Sequence, residues 1–282
     1  MKTLWFQFSS ELWKLFARQR TYLGFVAFVG LEIAVLVIIK LVGIENWWRR
    51  MITMQGESFD NYFSAYTVAF IIMGLSILLL GGLYLCLVSG DIVAKESEDG
   101  HMRLLLARPI SRIRLLSIKY VACQVYTFVL IMFVAVTALI LGFVVRGFGG
   151  GLFAYTIEHG VLGIYTPNEA PGRYFLFATM MALGMTTITS VGFFFSCFKI
   201  KPAAATIAAL SYALIDSILF RSGLMQRYDY LLFNKHFDTW SRVLSEDIPW
   251  PILVRNYVVL FAMSLSFFAV GVAAFQSRDL KS

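Results

Sequence analysis

Long apolar runs alternate with shorter polar stretches along the whole chain. The runs fall at 22–42, 66–89, 115–145, 174–198, 203–220 and 254–276, the fifth being the shortest. A helix that crosses the hydrocarbon core of a bilayer needs about 20 residues, so each run is a candidate span. Backbone groups inside hydrocarbon must bond within their own segment, and none of the runs alternates polar with apolar as a barrel strand would. The predicted fold class is therefore all-α: a polytopic membrane protein with six transmembrane helices. Gly74, Gly81, Gly82, Gly184, Gly192 and Gly271 lie inside the runs, and their expected role is close helix contact.

Residues 1–20 carry a different pattern. Leu4, Trp5, Phe8, Leu12, Leu15 and Phe16 fall on one side of a helix, with Thr3, Gln7, Ser10, Lys14 and Arg18 on the other. The pattern predicts an amphipathic helix in the plane of the inner leaflet, aromatics in the acyl boundary and basic residues toward headgroups. A soluble helix packed on a partner is the competing reading. The rest of the chain, 21–282, reads as one six-helix membrane domain.

Composition agrees with lipid as the main solvent. Of 282 residues 59% are hydrophobic and 15% charged, and mean hydropathy is +0.74. A soluble domain has about 25% charged residues. The net charge of +7 raises nucleic acid as a partner, but topology accounts for most of it. With the N-terminus inside, Lys and Arg crowd the short inner segments, above all Lys95, Arg103, Arg108, Arg112, Arg114 and Lys119, and thin out over the longer outer loops at 44–61, 146–173 and 221–253. Both termini are expected in the cytoplasm and nucleic acid is not expected as a partner. Trp47, Trp48, Trp240 and Trp250 lie in outer loops and are expected at the headgroup boundary, with packing inside a folded outer cap as the alternative. Cys86, Cys123 and Cys197 lack metal or redox spacing and read as packing residues. The first run starts too late and runs too long for a cleaved signal, so it is expected to stay as an anchor.

The loop 91–114 is the most informative stretch. Acidic residues including Glu96 and Glu98 are followed by Gly100 and His101, then by Arg103, Leu104, Leu105, Leu106 and Arg108, and then by Pro109 and Ser111, which is placed to cap the next helix. A short helix here is too polar for lipid and too apolar for water. Docking of the leucines into a cytoplasmic partner, or folding back on the same chain, would cover them.

This loop resembles the coupling region of type-2 permeases of ATP-binding cassette (ABC) exporters. Members carry an acidic stretch ending in Glu-x-Gly, a Thr-x-x-x-Leu-Leu run, Pro-x-Ser-Arg, and a Lys opening the third span. Glu98, Gly100, Leu104, Leu105, Pro109, Ser111, Arg112 and Lys119 fill that pattern, with His101 where Thr is usual. The amphipathic start resembles the family's elbow helix, and 275–280 is similar to its Phe-x-x-Arg-Asp close. The resemblance implies a transmembrane subunit in a bacterial inner membrane that dimerises, more readily with itself than with a similar chain, and sits on two copies of a separate ABC ATPase. ATP and Mg would be bound by that partner and no cofactor by this chain, which has no Gly-x-x-x-x-Gly-Lys loop. The implied ATPase contact comprises Glu96, Glu98, Gly100, His101, Arg103, Leu104, Leu105, Arg108 and Pro109. Gly149, Gly150 and Gly151 read as a flexible outer turn.

Two acids fall inside spans: Glu32, about 15 Å into the first at about 1.5 Å per residue, and Asp216 toward the outer end of the fifth. A charge at mid-bilayer costs about 2.5–3.5 kcal/mol, so Glu32 must face protein or water, or be protonated. Substrate path and interhelical hydrogen bond are both open for it. Thr186 and its neighbours Thr187, Thr189 and Ser190 are candidate bonding partners, and Asp216 is expected to reach water at an interface. His101, His159 and His236 share no spacing and no catalytic cluster is predicted, so the chain itself is not expected to be an enzyme. An ATP-independent transporter or channel, or a permease-like subunit passing ATP-driven force to a periplasmic or envelope partner, remains the alternative. The mixed charge of the outer loops indicates no one cargo.

Overall fold

A computed structural model describes residues 2–100, 111–156, 161–224 and 226–277. It contains six helices long and apolar enough to cross a membrane, and the chain is an all-α multi-pass membrane protein. After α1 (Lys2–Ala17) come the first span, α2 (Gln19–Leu41), and two short outer helices, α3 (Ile44–Met54) and α4 (Phe59–Tyr62). The second span is α5 (Ala65–Ser76) and α6 (Gly82–Glu98), joined through a π turn at Ile77–Gly81. Four more helices follow: α7 (Arg112–Arg146), α8 (Ala170–Ser196), α9 (Pro202–Ser222) and α11 (Trp250–Gln276), with the short outer α10 (Phe233–Phe237) before the last.

The starts and stops follow local chemistry. Ser64 caps α5 by accepting from Tyr66 N, and Ser111 caps α7 from Arg114 N, the role its place after Pro109 predicts. Pro202 opens α9, where a missing N–H costs nothing. Arg18 is extended between α1 and α2, so the elbow is a true break and not a bend in one helix.

Helix α8 is the centre of the bundle, the most buried of the spans. A polar seam ties it to its neighbours. Tyr120 of α7 meets Ser190 at 2.9 Å, Thr127 meets Thr189 at 2.7 Å, and Ser264 of α11 donates to Thr187 at 3.0 Å. Without water every such hydroxyl needs an internal partner, so the seam both satisfies these groups and fixes the register of three helices. Thr186 turns out of this seam and donates to its own helix at Leu183 O, 2.6 Å.

At the end of the bundle away from α1, called outer after the orientation expected from the sequence, the loops fold into a cap. A two-stranded antiparallel hairpin, β1 (Leu152–Thr156) with β2 (Val161–Tyr165), sits beneath α3. Gly150 and Gly151 are closely packed and not a loose turn: a Cβ on Gly150 (φ +84°) would stand 2.7 Å from Asn61 O, one on Gly151 2.2 Å from Tyr165 O, and Gly151 N donates to Asn61 O at 2.8 Å. Trp48 is buried against Phe153, and Trp240 packs on Phe177. Trp250 is exposed, whereas Trp48 sits in an aromatic cluster of the cap with Phe63 and Phe153, where Arg49 lies over the Phe59 ring and Arg146 over the Phe63 ring. Cys86, Cys123 and Cys197 are all buried.

Candidate functional site

At the end of the bundle where α1 lies, four elements converge on one lysine. Lys119, on the second turn of α7, is completely buried. Its Nζ makes a hydrogen-bonded ion pair with Glu11 Oε2 of α1 at 2.7 Å. It also makes a charge contact with Glu96 Oε2 of α6 at 2.7 Å. Around this core, Lys14 holds the other oxygen of Glu11 at 2.7 Å, Arg18 approaches Glu96 at 3.8 Å, and Arg20 pairs with buried Asp91. Burial alone raises the Glu11 carboxyl, but Lys119 and Lys14 more than offset it, leaving Glu11 below its ordinary value of 4.5.

The same place carries the α1–α2 elbow. Tyr84 Oη lies 3.1 Å from Arg20 O and 3.0 Å from Tyr126 Oη. Gly24 lets α2 cross directly over the Tyr84 ring, which would lie 2.0 Å from a Cβ there. Phe16 packs on Tyr126 at 5.3 Å. Helix α1 thus leans on α7 through Leu15, Phe16 and Glu11, while Leu4, Trp5, Phe6 and Trp13 point outward. The amphipathic pattern located the helix but left out Glu11, the residue that anchors it.

Among the expected ATPase contacts, Glu96 belongs to this buried cluster. Helix α6 continues through Glu98, so 91–98 is packed helix and not loop, and the Glu96 carboxylate faces Lys119 instead of a partner. Gly100 ends the helix at φ +74°, a left-handed conformation that glycine takes at little cost. Glu98 stands exposed on the last turn. His101, Arg103, Leu104, Leu105, Arg108 and Pro109 lie outside the described residues, as does His159. Arg112 donates to Gln276 O at 3.2 Å, which sets the end of α11 beside the start of α7.

The two acids within spans do different things. Glu32 is completely enclosed, and Thr137 of α7 stands beside its carboxyl, but the Thr137 hydroxyl is directed at Phe133 O and Val134 O of its own helix, at 3.0 and 3.2 Å. Tyr174, whose ring is nearby, gives its proton to Ala135 O at 2.7 Å. Asp216 does not reach water. It is buried and accepts from Phe233 N, Asn234 N and Asn234 Nδ2 at 2.8–2.9 Å, holding the start of α10. In the cap, both ring nitrogens of His236 are engaged, by Asn256 Oδ1 at 2.7 Å and Tyr230 O at 2.8 Å. Among the described residues no group of three or more His, Cys, Asp or Glu is placed to hold a metal ion.

Comparison with known proteins adds a family. The "Uncharacterized protein YhcI" of Bacillus subtilis (strain 168) is 30% identical over 111 residues, 38% of this chain. That stretch takes in 36% of YhcI's own length. A family described as "Protein of unknown function (DUF2705)" matches residues 51–281, from the end of α3 through the last span, and the chain belongs to that family.

Proposed function

We propose that this chain is the permease subunit of an ABC exporter, seated in a bacterial inner membrane with both termini in the cytoplasm. It pairs with a second permease chain and carries two copies of a separate ATPase that binds ATP and Mg. The observation that supports this reading is the placement of Lys119. In the chain, α6 and α7 are joined by the segment 99–111, part of the stretch 91–114 that resembles a coupling region. Glu96 lies just before it and Lys119 shortly after, and both are tied to α1 through Glu11. A push on the segment is therefore transmitted to two spans and the elbow together, because the buried ion pairs resist separation. That is the mechanical property a subunit driven from outside requires.

The test is co-purification with the candidate ATPase in nanodiscs, beside a Leu104→Asp, Leu105→Asp variant. Co-elution and ATP hydrolysis are expected for the parent and loss of both for the variant, with unchanged thermal melting. Folded parent that brings down no ATPase overturns the proposal and leaves an ATP-independent transporter in its place.

A further inference from the structure

A cavity of about 680 Å³ lies between α5 and α9, beneath the outer cap. Its size is that of a small-molecule site. The deep wall is apolar: Ile77, Met181, Met185 and Ile188. Toward the cap the lining changes to tryptophans and polar groups, Trp47, Trp48 and Trp240 with Asn234 and Asp238. One side is edged by Leu75 and Leu78, and Leu78 is 66% exposed, so within a membrane the cavity opens sideways to lipid.

Two glycines make the space. A Cβ on Gly184 or Gly192 would strike Phe237 or Ser89, so those positions serve close packing. Gly74 and Gly82 also lie inside a span, yet no atom stands within 4 Å of where their Cβ would be, and both line the cavity. They flank the π turn, which rotates the helix so that both face the same opening. Side chains have been removed here without helix contact in return.

We propose that this cavity binds a single-chain amphiphile taken from the bilayer, apolar chain against Leu78, Met185 and Ile188 and polar end among the tryptophans under the cap. The apolar floor rejects a polar solute, because a buried polar group without a partner is costly. The sideways opening admits a chain already dissolved in lipid, and the polar rim sits where its head would lie. Binding stands apart from the permease assignment; that the bound molecule is cargo rests on it.

Tryptophan quenching tests the proposal. Trp5, Trp13 and Trp250 lie outside this cavity, and replacing them with Phe leaves Trp47, Trp48 and Trp240, all in its lining. Lysophosphatidylcholine with a brominated chain is then titrated onto the purified full chain in detergent. Saturable quenching is expected, lost in a Gly74→Leu, Gly82→Leu double variant whose added side chains enter open space. Ala213→Phe fills the facing wall independently should the first variant melt early. Unsaturable quenching in the parent, or saturable quenching that survives in well-folded filled variants, overturns the proposal. So does dilution-dependent shielding of the tryptophans, which would make a second copy of the chain the occupant. ATPase co-elution is read on the same preparations: saturable binding without co-elution removes the cargo clause and leaves the site.

Discussion

Lys119 and Glu96 face each other at 2.7 Å inside the protein, one on each of the two helices from which the segment 99–111 departs, and Glu11 of the elbow closes the triangle. Two carboxylates share one buried ammonium. Removing the cation strands both, and breaking a buried pair in this way costs about 3–5 kcal/mol. Lys119→Met is expected to lower the melting temperature of the detergent-solubilised protein sharply. The triple variant Lys119→Met, Glu96→Gln, Glu11→Gln should recover much of the loss, since no buried carboxylate is left without its ammonium and the released Lys14 and Arg18 are partly exposed. Equal melting of the single variant and the parent would show that the triangle holds nothing together.

Acid should unlock the elbow in a defined window. Burial works against the Glu11 anion and its two lysines work for it, with the lysines ahead, so its folded value lies below the ordinary 4.5. A carboxyl depressed by folding contributes its full stability above 4.5, and the contribution drains away as pH falls from there through the folded value. Melting temperature measured from neutral pH downward should therefore drop below pH 4.5 in the parent. Glu11→Gln should be less stable than the parent at neutral pH and show a shallower drop on acidification. Parallel curves would mean that Glu11 is not linked to folding.

The spans were legible because lipid imposes one simple demand, an unbroken apolar run, and α2, α7 and α11 meet it within a few residues of the expected limits. The inner end of the second span was not, because Asp91, Lys95, Glu96 and Glu98 read as solvated loop. Their helix continues because Lys119, Arg18 and Arg20 neutralise two of those acids from other elements, and such pairing across distant sequence leaves no local trace. The hairpin was hidden for a similar reason: Gly149 to Gly151 look like slack until Asn61 and Tyr165 are seen against them. Lys119 itself was visible only as the basic residue opening a span, with nothing nearby to announce two carboxylate partners.

Asp216 holds the outer cap to α9 through three N–H donors. Bonds to a charged acceptor contribute about 1.5–3 kcal/mol each, and those lost by Asp216→Ala leave buried donors behind. The loss should be local, because only the start of α10 depends on them. Hydrogen exchange at the Phe233 and Asn234 amides is expected to speed up strongly in Asp216→Ala and only partly in Asp216→Asn, which keeps one acceptor. Unchanged exchange in Asp216→Ala would remove Asp216 as the anchor of the cap.

Glu32 separates the two roles that its sequence position left open. An interhelical bond would make its removal destabilising, but the Thr137 hydroxyl beside it donates to Phe133 O and Val134 O of its own helix and leaves the carboxyl unbonded. Deleting an unpartnered buried polar group is neutral or stabilising. Glu32→Gln, and Glu32→Leu with it, should melt within about 0.5 kcal/mol of the parent or above it. If the protein nonetheless loses ATPase-coupled activity, the carboxyl serves the working cycle and not the fold. A loss of several kcal/mol in both variants would instead reveal a bonded partner, and the enclosed carboxyl would then be a structural tie between the first span and its neighbours.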